Sequence, residues 1–253
     1  MEERSPDSDP SSESHAPERR LGTRALLVFG AAFLSAVGFA VVVLLVTSKF
    51  DPLLRLDRNT ADDLHEFAVR HKAFTGLMRL ISNLGSSLAW WIIMVPVMGW
   101  LLYRKLRRLA LFVLVTTLGS TVLNNLIKLV VDRARPVLPD PVASAGGKSF
   151  PSGHTQAAVV GYGILLSVFI PVVPRRWRPV VVAAACVMAL SIGFSRIALG
   201  VHYLSDVMGA YLVGTVWLLG MVAAFRAWRR EEGKPAAAVT EGLEPEERDQ
   251  IAP

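Results

Sequence analysis

Long apolar runs, almost free of charge, recur along this chain with polar segments between them. Six such runs, at 25–47, 84–103, 109–131, 155–173, 180–199 and 207–228, are dominated by Leu, Val, Ala, Ile and Phe. A bilayer core takes roughly 20 consecutive apolar residues per helix. The pattern therefore predicts an all-α, polytopic membrane protein, a bundle of six transmembrane helices occupying residues 25–228. The flanks at 1–24 and 229–253 are polar, rich in Pro, Ser, Ala and Glu, and lack an apolar face. They are predicted to be disordered tails, because neither can bury enough apolar area to offset its ordering entropy. A version limited to residues 20–230 is expected to keep the spans and the activity. The first apolar run begins too late and runs too long for a cleaved signal peptide.

One polar stretch has a pattern of its own. Between the first two runs, Thr60-Ala-Asp-Asp63 has the form of a capping box with Asp in place of Glu. Ala61, Leu64, Phe67, Ala68 and Phe74 follow at helical spacing. They predict a short amphipathic helix, lying on the outer membrane surface or packed over the bundle.

Charge orients the bundle. The chain is 52% hydrophobic and 19% charged, with net charge +6. Its ends are acidic, so residues 25–225 hold 18 basic against 8 acidic residues. No soluble basic domain remains to hold nucleic acid. An anionic lipid surface or an anionic substrate suits the excess better. Basic clusters at 19–24, 104–108, 175–178 and 229–234 fall on alternate sides of successive spans and hence on one face. By the positive-inside rule that face is the cytoplasm of a multi-pass plasma-membrane protein, with both termini inside. The single cysteine, Cys186, sits in an apolar run and reads as packing.

Ionisable groups near membrane depth are costly and so mark function. Three clusters fall on the outer side. Lys128 and Arg135 lie seven residues apart, so a helix continued to Pro136 would put both on one face, a pair suited to phosphate or to snorkelling. Next comes Phe150-Pro-Ser-Gly-His-Thr155, just before the fourth run. There Ser152 would cap a helix whose free N–H groups form an anion cradle, Gly153 would let a ligand approach, and His154 could donate a proton. Third, His202 and Asp206 stand at i and i+4 beside Arg196. The carboxylate would fix the imidazole tautomer and leave the other nitrogen as a nucleophile.

Together these blocks, Lys-x6-Arg-Pro, Pro-Ser-Gly-His and Ser-Arg-x5-His-x3-Asp, resemble the three signature blocks of the type 2 phosphatidic acid phosphatase family. Lys128, Arg135, Pro136, Pro151, Ser152, Gly153, His154, Ser195, Arg196, His202 and Asp206 all match. The resemblance implies a hydrolase acting on a lipid phosphomonoester or diphosphate, needing no metal and no cofactor. His202 would form a phosphohistidine, with Asp206 orienting it and His154 protonating the leaving oxygen. Lys128, Arg135, Ser152, Gly153 and Arg196 would hold the phosphoryl oxygens. Phosphatidic acid and a polyprenyl diphosphate of cell-wall lipid-carrier recycling both fit that cradle. The related haloperoxidases are soluble, which the six runs disfavour. A lipid flippase would not need the His202–Asp206 pair, and an inactive lipid-binding relative would have lost a catalytic residue.

Overall fold

The computed structural model describes residues 15–234 and 241–252; the first fourteen residues of the N-terminal tail lie outside them. Helices account for the regular structure throughout: α1 (His15–Thr47), α2 (Asp51–Arg70), α3 (Lys72–Leu84), α4 (Ser87–Tyr103), α5 (Arg107–Val131), α6 (Gly153–Phe169), α7 (Arg178–Ala198) and α8 (Leu204–Glu231). Among the described residues five helical stretches are long and apolar enough to cross a membrane. They are Val28–Thr47, Lys72–Tyr103 (shared by α3 and α4), and the whole of α5, α7 and α8. The fourth apolar run forms α6, which is apolar but shorter, at 17 residues.

Enclosure explains α6. It packs against α5, α7 and α8 and buries Gln156, Ala158, Val160, Gly161, Ile164 and Val168. The helices meet closely where glycine faces an indole. A Cβ on Gly161 would stand 2.4 Å from the Trp90 ring, and one on Gly119 2.3 Å from Trp217. Small residues of this kind let membrane helices approach and gain dispersion contacts. Phe112, Leu109, Ile164 and Ile192 fill the centre.

The segment 48–83 forms two helices rather than one. α2 starts at Asp51, with a proline in its first turn, so Thr60 lies mid-helix and caps nothing. Its inward face is Asp57, Ala61, His65 and Ala68, packed toward α7 and α8, while Phe67 is exposed. The polar members face inward because hydrogen bonds await them. His65 Nε2 lies 2.6 Å from the Pro139 carbonyl. A break at His71 leads into α3, which packs on α7.

Parts of both flanking segments are helical. Residues 15–24 continue α1. At the other end, Pro245–Glu247 forms a 3-10 turn and Arg248–Ile251 a short helix α9, with Leu243 and Ile251 buried against the bundle. The acidic segment docks on the basic end. Arg108 reaches Glu244 at 3.2 Å and Glu232 at 2.5 Å, and Arg229 reaches Glu246 at 2.8 Å. Burial pushes the Glu244 carboxyl above its ordinary range, against the pull of Lys234 and Arg108. Polar composition concealed this docking, because Arg108 lies more than a hundred residues before Glu232 and Glu244.

Candidate active site

A cavity of about 670 Å³ opens where the end of α5, the start of α6 and the turn between α7 and α8 converge. Local backbone choices bring these ends together. α5 stops at Asp132, which adopts a left-handed conformation (φ 50°) and turns the chain into an extended segment. α6 starts after Ser152, whose N–H donates to the Asp206 carbonyl at 3.1 Å and so ties the starts of α6 and α8. α7 ends before Gly200, whose φ of +69° suits a residue without Cβ.

His202 lies in the turn before α8, and Asp206 is the third residue of that helix. The two are therefore not on one helix face, as their spacing suggested, yet they still meet. His202 Nδ1 is 3.5 Å from Asp206 Oδ2. Ser149 sits beside both, donating its hydroxyl proton to Asp206 Oδ2 and lying 3.4 Å from Nδ1. The Tyr203 N–H also donates to Oδ2, at 2.9 Å. On the opposite edge of the ring, Arg135 Nη1 is 3.0 Å from His202 Nε2. A guanidinium has no acceptor. Nε2 must therefore hold its lone pair, and the proton of the neutral ring sits on Nδ1, facing the carboxylate. Burial, joined by the Arg135 and Arg196 charges, outweighs Asp206 and pulls the His202 pKa down to about 4. The ring is neutral at physiological pH, with Nε2 unprotonated, and it lines the cavity.

The cations arrive from three segments. Arg135 lies beyond the end of α5, so it shares the cavity with Lys128 through the chain reversal and not through a helical repeat. Its remaining donors hold backbone carbonyls: Val201 at 2.7 Å, Gly147 at 3.1 Å and Gly146 at 3.0 Å. Arg196 is buried on α7 and donates to Ser82 Oγ at 2.5 Å, leaving its Nε without a partner. Gly153 begins α6 with room above it. A Cβ there would come within 3.6 Å of Lys128 Nζ. His154 lines the same cavity.

Ser152 is placed differently. Its side chain is fully buried, accepts from Thr155 Oγ1 at 2.9 Å and does not line the cavity. Asp206 also stays behind His202 rather than on the wall. Sequence reasoning missed Ser149, Ser205, Arg133 and Asp57, all of which bear on Asp206 directly or through one neighbour. Arg133 alone carried a signal, as a further basic residue within the first block.

A neutral imidazole facing a ring of cations, at one end of an apolar helical bundle, defines a membrane-embedded phosphoric ester hydrolase. The chain belongs to the PAP2 superfamily, whose family model matches residues 109–230. It is 31% identical over 149 residues to phosphatidylglycerophosphatase B of Bacillus subtilis, covering 58% of this chain and 72% of that protein. It is 26% identical over 149 residues to an undecaprenyl-diphosphatase of Sulfolobus acidocaldarius, covering 56% of this chain and 66% of that protein. The fold matches the crystal structure of a transmembrane PAP2-type phosphatidylglycerolphosphate phosphatase from Bacillus subtilis, with a TM-score of 0.68 and 24% identity. That match covers 79% of this chain and 98% of the other.

Proposed function

We propose that this protein dephosphorylates a membrane lipid phosphate, through a phosphohistidine at His202. The observation that carries the reading is the arrangement around that ring, with Arg135 on Nε2 and Asp206 behind Nδ1. In the first step Nε2 attacks phosphorus in line, the N–P bond forms and the P–O bond to the lipid breaks. His154 supplies a proton to the departing oxygen. Asp206 balances the charge that develops on the imidazole. Lys128, Arg135, Arg196 and the Gly153 N–H at the start of α6 hold the equatorial oxygens. Water, deprotonated by His154, then attacks phosphorus, releasing phosphate and restoring the neutral ring.

Topologically the reading is a six-span plasma-membrane protein, with α6 as a short sixth span sheltered by its neighbours. Its termini are cytoplasmic and its site extracytoplasmic. The basic clusters at 104–108 and 175–178 support this orientation.

Purified protein in detergent with EDTA is expected to release phosphate from phosphatidic acid. Brief incubation with 32P-labelled substrate is expected to leave acid-labile, base-stable label on the chain. His202→Ala retaining a tenth of the rate, or retaining the label, would overturn the assignment.

A second reading, a polyprenyl diphosphate substrate, is favoured by Arg79. This fourth cation lines the same cavity and would face a second phosphate. Competition between phosphatidic acid and a polyprenyl diphosphate, compared by kcat/KM, separates the two.

A further inference from the structure

We propose that Asp57 and Arg133 form a buried charge clamp that positions the nucleophile, making α2 a working part of the active site. The inference rests on the phosphohistidine reading above and extends it to a helix that carries none of the three motif blocks.

Arg133 stands two residues before Arg135 but turns away from the cavity. Its Nη1 donates to Asp206 Oδ1 at 2.7 Å and to Ser205 Oγ at 2.6 Å. Its Nη2 donates to Asp57 Oδ2 at 2.7 Å, and the guanidinium lies over the Tyr203 ring at 4.3 Å. Asp57 has no solvent exposure and accepts twice more, from the Ser205 N–H at 2.9 Å and the Ser205 hydroxyl at 2.5 Å. One cation thus joins two buried carboxylates, and the start of α8 is bonded to both.

Mere attachment of α2 does not require this. Replacing a buried ion pair by well-packed apolar residues is often neutral or stabilising. The charges do two things that apolar contacts cannot. First, Arg133 occupies Oδ1 of Asp206. That leaves Oδ2 as the oxygen facing Ser149, Tyr203 N–H and His202 Nδ1. Without Arg133, Oδ1 loses its donor and only the Ser149 hydroxyl and the Tyr203 N–H are left to hold the carboxylate toward the imidazole. Second, Asp57 sets the charge. Arg133 and Asp206 alone sum to zero, whereas the three groups together carry one negative charge. That charge opposes the positive charge His202 acquires as its Nε2 bonds to phosphorus. Asp57 and Arg133 are therefore positioning residues, acting through Asp206.

The test compares wild type, Asp57→Asn, Arg133→Lys and the double variant Asp57→Asn/Arg133→Met, each purified in detergent. Phosphatidic acid in mixed micelles is the substrate, and inorganic phosphate is a competing ligand of the cradle. Asp57→Asn removes the negative charge and sets an amide N–H₂ against at least one of the three donors that the carboxylate accepts, weakening the link. Its kcat is expected to fall about 10- to 100-fold, the range for lost outer-shell partners of a functional histidine. KM and the inhibition constant for phosphate are expected to stay within about twofold, because Lys128, Arg135 and Arg196 remain in place. The double variant is expected to lose no more than the worse single change, since the two residues act as a unit.

An unchanged kcat in Asp57→Asn would overturn the clamp, as would losses in phosphate affinity that match those in kcat. Should Asp57→Asn fail to fold, Arg133→Lys bears the same test. Its ammonium keeps the charge but cannot span both carboxylates, so the same kcat loss is expected, and full activity would overturn the proposal. A wild type releasing no phosphate would overturn the phosphatase reading and the clamp with it. An active wild type with an unaffected Asp57→Asn would overturn the clamp alone.

Discussion

Arg135 Nη1 donates to Nε2 of His202 at 3.0 Å and to the Val201 carbonyl, while its other nitrogens hold the carbonyls of Gly146 and Gly147. One side chain thus fixes the tautomer of the proposed nucleophile and ties the 132–152 segment to the turn that carries it. A planar fork can serve these directions at once, and an ammonium cannot. Arg135→Lys is expected to lower kcat/KM by about 100-fold or more, in the range for losing one transition-state donor. Phosphate release by the purified variant checks this, and a loss under tenfold would contradict it.

The position of His202 also sets a pH limit. In the proposed mechanism it attacks as the neutral ring, and burial together with Arg135 and Arg196 holds its pKa near 4. As pH falls, the attacking nitrogen is lost when that ring protonates. The acid limb of kcat/KM assigned to the nucleophile is expected near pH 4, below the ~6.5 of an unperturbed histidine. Rates measured from pH 3.5 to 8, with thermal unfolding followed in parallel, check the position. A His202 limb between 6 and 7 would contradict it.

Gly200 carries the turn. Its φ of +69° is strained for any residue with a Cβ, and an added Cβ would stand 2.5 Å from Leu138 Cδ1. Gly200→Ala is expected to destabilise the protein by about 1–2 kcal/mol from the backbone alone. Because His202 follows two residues later, kcat is expected to fall as well. A melting curve and a rate constant on the same preparation decide both.

Orientation can be read by labelling. In a Cys186→Ala background, a cysteine at Ser144, exposed on the 132–152 segment, is expected to react with an impermeant thiol reagent in intact cells. One at Lys105, exposed on the basic turn, is expected to react only after the membrane is opened. The reverse pattern would invert the topology.

The C-terminal segment separates stability from chemistry. Leu243 and Ile251 are buried at the end that carries the basic turns, among contacts made by Arg104, Arg108 and Arg229. Deleting residues 241–253 is expected to cost up to about 1.5–3 kcal/mol for each of those two side chains. The melting temperature is expected to fall, while the rate per folded molecule at 25 °C stays within about twofold.

Apolar run length and motif spacing were enough to read an all-helical membrane chain and the residues that meet at its cavity. Lys128, Arg135, Gly153, His154, Arg196 and His202 line one cavity, as their residue types suggested. Both signals are local. A bilayer-length run or an anion-binding residue type carries its meaning in its own neighbourhood. The way those residues meet is another matter. Asp132 reverses the chain in a left-handed turn, so the Lys128–Arg135 spacing is not helical, and Ser152 is buried although its motif neighbours reach the cavity. The partners of Asp206 come from Ser149 and Arg133, and Asp57 joins them from a helix about 150 residues earlier. The docking of 241–252 on Arg108 is equally non-local. Hydrogen bonds and ion pairs between distant segments leave no period or composition in the chain, because they depend on directions that exist only after the helices have packed.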